Sequence, residues 1–175
     1  MLGNHFYHST IKRAVSVFGT LFNNITIARS DGKIIPVPLA YGPRSRWIAR
    51  LQSTLDPTAK AVAISLPRMG FELTAIEYDS TRKLTKKTQF RSADTTNPQK
   101  MNYQYSPAPY NLGFTLSILV KNTDDGLQIV EQILPYFTPD YTVTINTVPS
   151  MNDKRDVPII LTSVSQEDTY EGDLE

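Results

Sequence analysis

Cysteine is absent from the 175-residue sequence. That excludes disulfide staples, thiolate zinc sites, iron–sulfur ligation and thiol nucleophiles together. No stretch approaches the roughly 18 consecutive apolar residues of a helical membrane span, and the first residues, MLGNHFYHSTIKRAV, carry no basic leader ahead of an apolar core. The expectation is a soluble chain made in the cytoplasm. No GxSxG elbow, GxxxxGK[ST] loop or GxGxxG turn occurs, so acyl transfer, nucleotide hydrolysis and dinucleotide redox chemistry lose their usual sequence support. Histidine is scarce. His5 and His8 stand three apart without an HExxH frame or a third ligand, and read as an exposed helix start. Asp124-Asp125 and Asp153 with Asp156 lack the spacing of a calcium loop and sit where turns favour aspartate. Asn24-Ile25-Thr26 fits a glycosylation acceptor, but nothing else suggests secretion. The chain is read as a non-enzyme with no cofactor and no metal.

What is present is an ordinary globular composition: 40% apolar and 20% charged residues with a mean hydropathy of -0.28. One domain over 1–175 is expected. A compact monomer of 19.7 kDa should expose roughly 8,600 Å². The net charge of +1 hides an asymmetry. Residues 1–100 hold 15 Lys and Arg against 6 Asp and Glu, net +9, whereas residues 101–175 hold 3 against 11, net -8. Either the halves interleave and neutralise one another locally, or the molecule has two complementary faces suited to head-to-tail contacts between copies.

Along the chain, Tyr7, Ile11, Val15, Phe18 and Phe22 keep the spacing of one helical face, with Asn4 as a cap and Asn23-Asn24 as the end. Ile25 to Ile27 and Lys33 to Leu39 flank Asp31-Gly32, which predicts a hairpin on a two-residue turn. Pro36 and Pro38 put its second strand at an edge. Residues 42–60 predict a short helix around Trp47, broken near Pro57. Ala61 to Leu66 and Phe71 to Tyr78 predict two strands around a break at 67–70, with a bulge between Leu73 and Ile76. Residues 79–110 lack apolar periodicity and predict a long basic loop or arm. Leu112 to Lys121 alternates most cleanly and is expected at the centre of the sheet. A helix follows, with Asp125 capping toward Gln128 and Leu127, Val130 and Leu134 as its buried stripe up to Pro135. Two strands, around Tyr141 to Ile145 and Val157 to Leu161, give a closing order of β, α, β, β, and 165–175 forms an acidic tail. The class is α+β: a mostly antiparallel or mixed sheet with two or three helices packed on one face.

The candidate functional residues are the charged clusters. Arg82, Lys83, Lys86, Lys87 and Arg91 form the basic run, interleaved with Phe90 and followed by Tyr103 and Tyr105. Such a run serves as a solvated loop, as an arm contacting protein, or as a nucleic-acid surface on which cations meet phosphates and rings stack on bases. Glu167, Asp168, Glu171 and Asp173 form the acidic counterpart, so the two clusters are candidate subunit or partner interfaces.

The segment from Asp124 through Gly126, Gln128 and Glu131 to Pro139, with Tyr105 to Pro109 and Leu116-Ser117-Ile118 before it, closely resembles the tail sheath stabiliser, or tail completion, proteins of large contractile-tailed phages. The likeness reaches Tyr7, Arg13, Leu21-Phe22, Asn24-Ile25, Val37-Pro38, Leu66-Pro67-Arg68, Lys154-Arg155-Asp156 and Glu171-Gly172-Asp173. Residues 79–104 are least similar, and the proteins it resembles continue past the acidic turn into another strand and a longer C-terminal region. The resemblance implies a tail-terminator-like fold and a homohexameric ring in the virion. That ring would cap the head-proximal end of the tail, in contact with the tube or its terminator, the last sheath ring and the neck. DNA would be only passing cargo, no membrane would be involved, and no chemistry is expected. A tube terminator, a head–tail connector ring and a small nucleic-acid-binding domain are the alternative assignments.

Overall fold

The computed structural model describes residues 5, 7–53, 65–94, 97, 99–148 and 153–167. Helix α1 (Thr10–Leu21) leads into the short strands β1 (Thr26–Ala28), β2 (Ile34–Pro36) and β3 (Leu39–Tyr41), then helix α2 (Arg44–Ser53). Strand β4 (Arg68–Tyr78), the hairpin β5 (Gln89–Ala93) and β6 (Met101–Tyr105), and strand β7 (Tyr110–Leu119) follow. Helix α3 (Thr123–Ile133), a 3-10 turn (Leu134–Tyr136), β8 (Asp140–Val148) and β9 (Asp153–Ile160) complete the described chain. The class is α+β, and the central sheet is mixed, in the order β3-β4-β7 with β3 parallel and β7 antiparallel to β4. The pairs β1-β2, β5-β6 and β8-β9 are separate two-stranded sheets. The closing β, α, β, β order is present but does not close into one sheet.

The core forms where α1 and α3 lie over one face of the central sheet. Phe18 and Phe22 from α1 and its end, Ile27, Val37, Met69, Phe71, Ile129 and Ile133 are buried together, with Phe114, Leu116 and Ile118 of β7 half-buried against them. Trp47 of α2 covers the opposite face at Gly70, which alternates with Met69 and Phe71 along the strand. Its indole N–H donates to the Gly42 carbonyl at 3.2 Å, and Arg68 lies over the ring at 4.9 Å.

Several expectations are corrected. The first helix starts at Thr10 after Ser9 in a left-handed conformation, and Tyr7 and Ile11 stay exposed because burial deepens only toward Phe18 and Phe22. Asn4 lies outside the described residues. The first hairpin turns on three residues rather than two: Gly32 N–H bonds the Arg29 carbonyl, Arg29 N–H bonds the Lys33 carbonyl, and only Gly32 takes a positive φ, 78°. The expected break at Pro67 to Gly70 lies mostly within β4, where Met69 is fully buried; residues 61–64 and Pro57 lie outside the described residues. The bulge falls between Leu73 and Ala75 as the phase shift predicted. Among the described strands β7 is outer and β4 central, since of the three only β4 pairs on both sides. Alternation reports a strand's two faces and carries no information about how many neighbours it has.

Helix α3 buries a different stripe from the one expected. Asp125, Ile129 and Ile133 face inward; of the expected residues Val130 is half-buried, while Leu127 and Leu134 are exposed. The Asn122 position caps the helix without a side-chain bond, and the amides of Gln128 and Gln132 fasten α3 to β1. Gln128 accepts from Ala28 N–H at 2.9 Å and donates to its carbonyl at 3.1 Å, and Gln132 donates to the Thr26 carbonyl at 2.7 Å. Two side-chain amides thus stand in for a strand along β1.

Asp125, 3% exposed, lies in the first turn of α3 with Arg29 Nη2 2.9 Å from Oδ2 but off the line of a hydrogen bond, so the contact is one of charge. Removing Arg29 would leave a carboxylate buried without a counter-ion. Arg29→Ala is expected to cost about 3 kcal/mol in urea unfolding, and adding Asp125→Asn should recover a third or more of that. Equal losses in the single and double variants would show that the pair carries no such charge.

Candidate interaction surfaces

The expected arm at 79–110 is an extension of the β4-β7 ribbon. The ribbon runs from Arg68 opposite Leu119 to Tyr78 opposite Tyr110, and Asp79 N–H still bonds the Pro109 carbonyl at 3.1 Å. It resumes where Ser106 N–H bonds the Thr88 carbonyl at 3.0 Å and ends where Asp94 N–H bonds the Lys100 carbonyl. Between these points residues 80–87 bulge out of one strand, opposite only Pro107 and Ala108 on the other.

The basic run is concentrated in that excursion. Arg82 is held inside the chain by Asp79, at 2.6 Å, and by Asn111. The Thr81 hydroxyl and then the Arg82 guanidinium hold the Asp79 carboxyl down at about 2. Lys83, Lys86 and Lys87 are exposed and make no ion pair among the described residues. Arg91 is separate from them, on β5 opposite Tyr103. Of the acidic cluster, Glu167 pairs with Arg44 at 2.8 Å, which lowers the carboxyl and raises the guanidinium. Asp168, Glu171 and Asp173 lie outside the described residues. The Arg44–Glu167 and Arg29–Asp125 pairs each join the basic half of the chain to the acidic half, so part of the charge asymmetry is neutralised within one molecule.

The distal hairpin has one supported side and one open side. Arg155 of β9 lies 5.8 Å from the Phe90 ring centre. Burial would raise the Asp153 carboxyl, but bonds from Thr147, Arg155 and Gln104 together lower it. On the other side Gln89, Arg91, Met101, Tyr103 and Tyr105 line an open hollow of about 350 Å³. A second cleft, about 550 Å³, opens between the end of α1, the 3-10 turn and β8, lined by Leu21, Phe22, Ile25, Gln132, Phe137 and Tyr141. Tyr136, 66% exposed, stands at its rim. No group of three metal-binding side chains occurs among the described residues, and no described helix is long and apolar enough to cross a membrane.

The family model of the T4-like Myoviridae tail sheath stabilisers matches residues 5–175. The chain belongs to that family. Among its relatives is tail completion protein gp15 of Enterobacteria phage T4, 32% identical over 182 residues, an alignment covering 97% of this chain and 65% of that one. The chain thus spans just under two thirds of the length of the curated relative it matches. As a tail sheath stabiliser it is a structural tail protein and a component of the phage virion. In such a protein the features of interest are surfaces. Those missed in the sequence are the outer side of α3 with Leu127, Leu134 and Tyr136, and the strand edges of the ribbon. Leu134 and Tyr136 had a usable signal: Pro135 ends the helix between them, so neither is bound to the helical stripe.

Proposed function

We propose that the chain builds a homohexameric ring that completes the contractile tail at its head-proximal end. In this role the ring rests on the tube or its terminator, contacts the last sheath ring and the neck, lets DNA pass through its lumen, and performs no catalysis. The observation that supports self-assembly most directly is the surface. Among the described residues the large apolar side chains left exposed include Tyr7, Tyr103, Tyr105, Tyr110 and Tyr136, each more than half open to solvent. Monomers seldom leave so many large rings to water, whereas subunits bury them between copies.

Lys83, Lys86 and Lys87 are assigned to an electrostatic contact with the acidic C-terminal residues Asp168, Glu171 and Asp173 of a neighbour, Glu167 being engaged by Arg44 of its own chain. Mass-resolved light scattering should give six chains for the natural sequence. Negative-stain images along the particle axis should show the ring and its lumen. Changing Lys83, Lys86 and Lys87 together to Glu is expected to raise the ring's dissociation constant at least tenfold at low salt, with the difference shrinking as salt screens the contact. An unchanged hexamer would remove the electrostatic contact, and a monomer at high concentration would remove the ring.

A further inference from the structure

We propose that the arm of one copy adds its β6 strand, edge to edge and antiparallel, to the open edge of β7 in the next copy. This rests on the self-assembly reading above and supplies it with a specific contact. In β4, Met69 N–H bonds the Pro38 carbonyl and the Phe71 carbonyl accepts from Gly42, so these residues turn their backbone groups toward β3. Gly70 and Glu72 therefore bond Ser117 and Thr115 of β7. Phe114, Leu116 and Ile118 are left with their N–H and C=O groups directed away from the sheet, and no described strand pairs there. In the arm, the bonded pairs Thr88–Ser106 and Asp94–Lys100 set the alternation, so Met101, Tyr103 and Tyr105 also present their backbone groups outward.

The two edges match. Each offers three outward residues at a spacing of two, and neither Met101–Tyr105 nor Tyr110–Leu119 contains a charge or a proline. Those are the devices that ordinarily keep an exposed edge unpaired. Opposing Met101 to Ile118, Tyr103 to Leu116 and Tyr105 to Phe114 lets all three pairs exchange backbone bonds. It also lays apolar side chains against apolar ones, continuing the face that α1 covers, and sets Asn102 beside Ser117 and Gln104 beside Thr115 on the other face. The occupant has to be a second copy. Within one chain β6 lies end to end with β7, just before it on the same side of the ribbon, because Asp79–Pro109 and Thr88–Ser106 are both bonded. The hairpin also lacks any fully buried residue, and a two-stranded sheet of that kind gains most from a third strand.

The absence of cysteine makes the test clean. Gln104 and Thr115 would face each other as a non-bonded antiparallel pair, with Cα atoms about 4.5 Å apart, within disulfide reach. A chain carrying both Gln104→Cys and Thr115→Cys should, on mild oxidation, give a ladder of cross-linked species extending beyond dimer. Each single variant should give none. In the natural protein, the amides of Phe114, Leu116, Ile118, Met101, Tyr103 and Tyr105 should exchange with solvent at least tenfold more slowly in the assembled state than at high dilution. A ladder that stops at dimer, or fast exchange at these amides in an intact ring, overturns the inference while leaving the ring in place. A natural chain that stays monomeric under all these conditions overturns the ring itself.

Discussion

Phe18→Ala is expected to lower the free energy of unfolding by about 4 kcal/mol. Phe18 is 8% exposed and sits where four aromatic rings meet: its centroid lies 5.1 Å from Phe22, 5.5 Å from Phe71 and 4.4 Å from Phe114, with the last pair stacked. Truncation would remove the apolar burial, leave a cavity between α1 and the sheet, and lose ring contacts each worth about 0.5–1.5 kcal/mol beyond area. The shift should appear as a lower urea midpoint with little change in slope. Ile11→Ala on the same helix, at a residue 49% exposed, is the contrast and should cost less than about 1 kcal/mol. A loss below about 1 kcal/mol for Phe18→Ala would mean that α1 does not seal the core.

Trp47 and Gly70 should be strongly coupled. A Cβ placed on Gly70 would overlap the Trp47 indole, 2.9 Å from Cδ1 and 3.3 Å from Cε2, so Gly70→Ala is expected to cost about 2 kcal/mol by overpacking. Trp47→Ala empties that side of the sheet and is expected to cost about 4 kcal/mol. Made on top of Trp47→Ala, Gly70→Ala should cost almost nothing, because the space the methyl needs has been vacated. The double-mutant cycle should return a coupling of about 2 kcal/mol. Purely additive losses would place the indole elsewhere. The single tryptophan gives the Gly70→Ala variant its own signal, a shift in fluorescence as the ring is displaced.

The places where sequence and structure diverge share a cause. Helix α3 contains enough apolar residues for more than one stripe, and its amphipathic period is compatible with burying either Leu127 and Leu134 or Ile129 and Ile133. The choice was made by β1, whose Ala28 N–H donates to Gln128 and whose Ala28 and Thr26 carbonyls accept from Gln128 and Gln132 only when the isoleucines turn inward. Met69 falls in the expected break because Pro67 and Gly70 flank it, yet Gly70 is in the strand to receive Trp47 and Pro67 lies just before the strand begins. The arm gave no periodic signal because its hairpin buries neither face completely. Of the surface clusters, the basic run was visible as a run of charges. That Arg82 is held by Asp79 and Asn111 while Lys83, Lys86 and Lys87 make no ion pair among the described residues was not.

Sequence alone determined the properties that depend on nearby residues and on composition. It excluded thiol chemistry, placed α1, α3 and most of the strands outside the arm, set the turn at Gly32 and the bulge after Leu73, and carried the family resemblance in the run around α3. Tertiary structure decided which side of α3 is buried, that β7 is an outer strand with an open edge among the described strands, and that Arg29 meets Asp125 and Arg44 meets Glu167. Those outcomes depend on which distant segment supplies the second half of a hydrogen bond, a ring contact or an ion pair, and such partners are chosen only when the chain closes on itself.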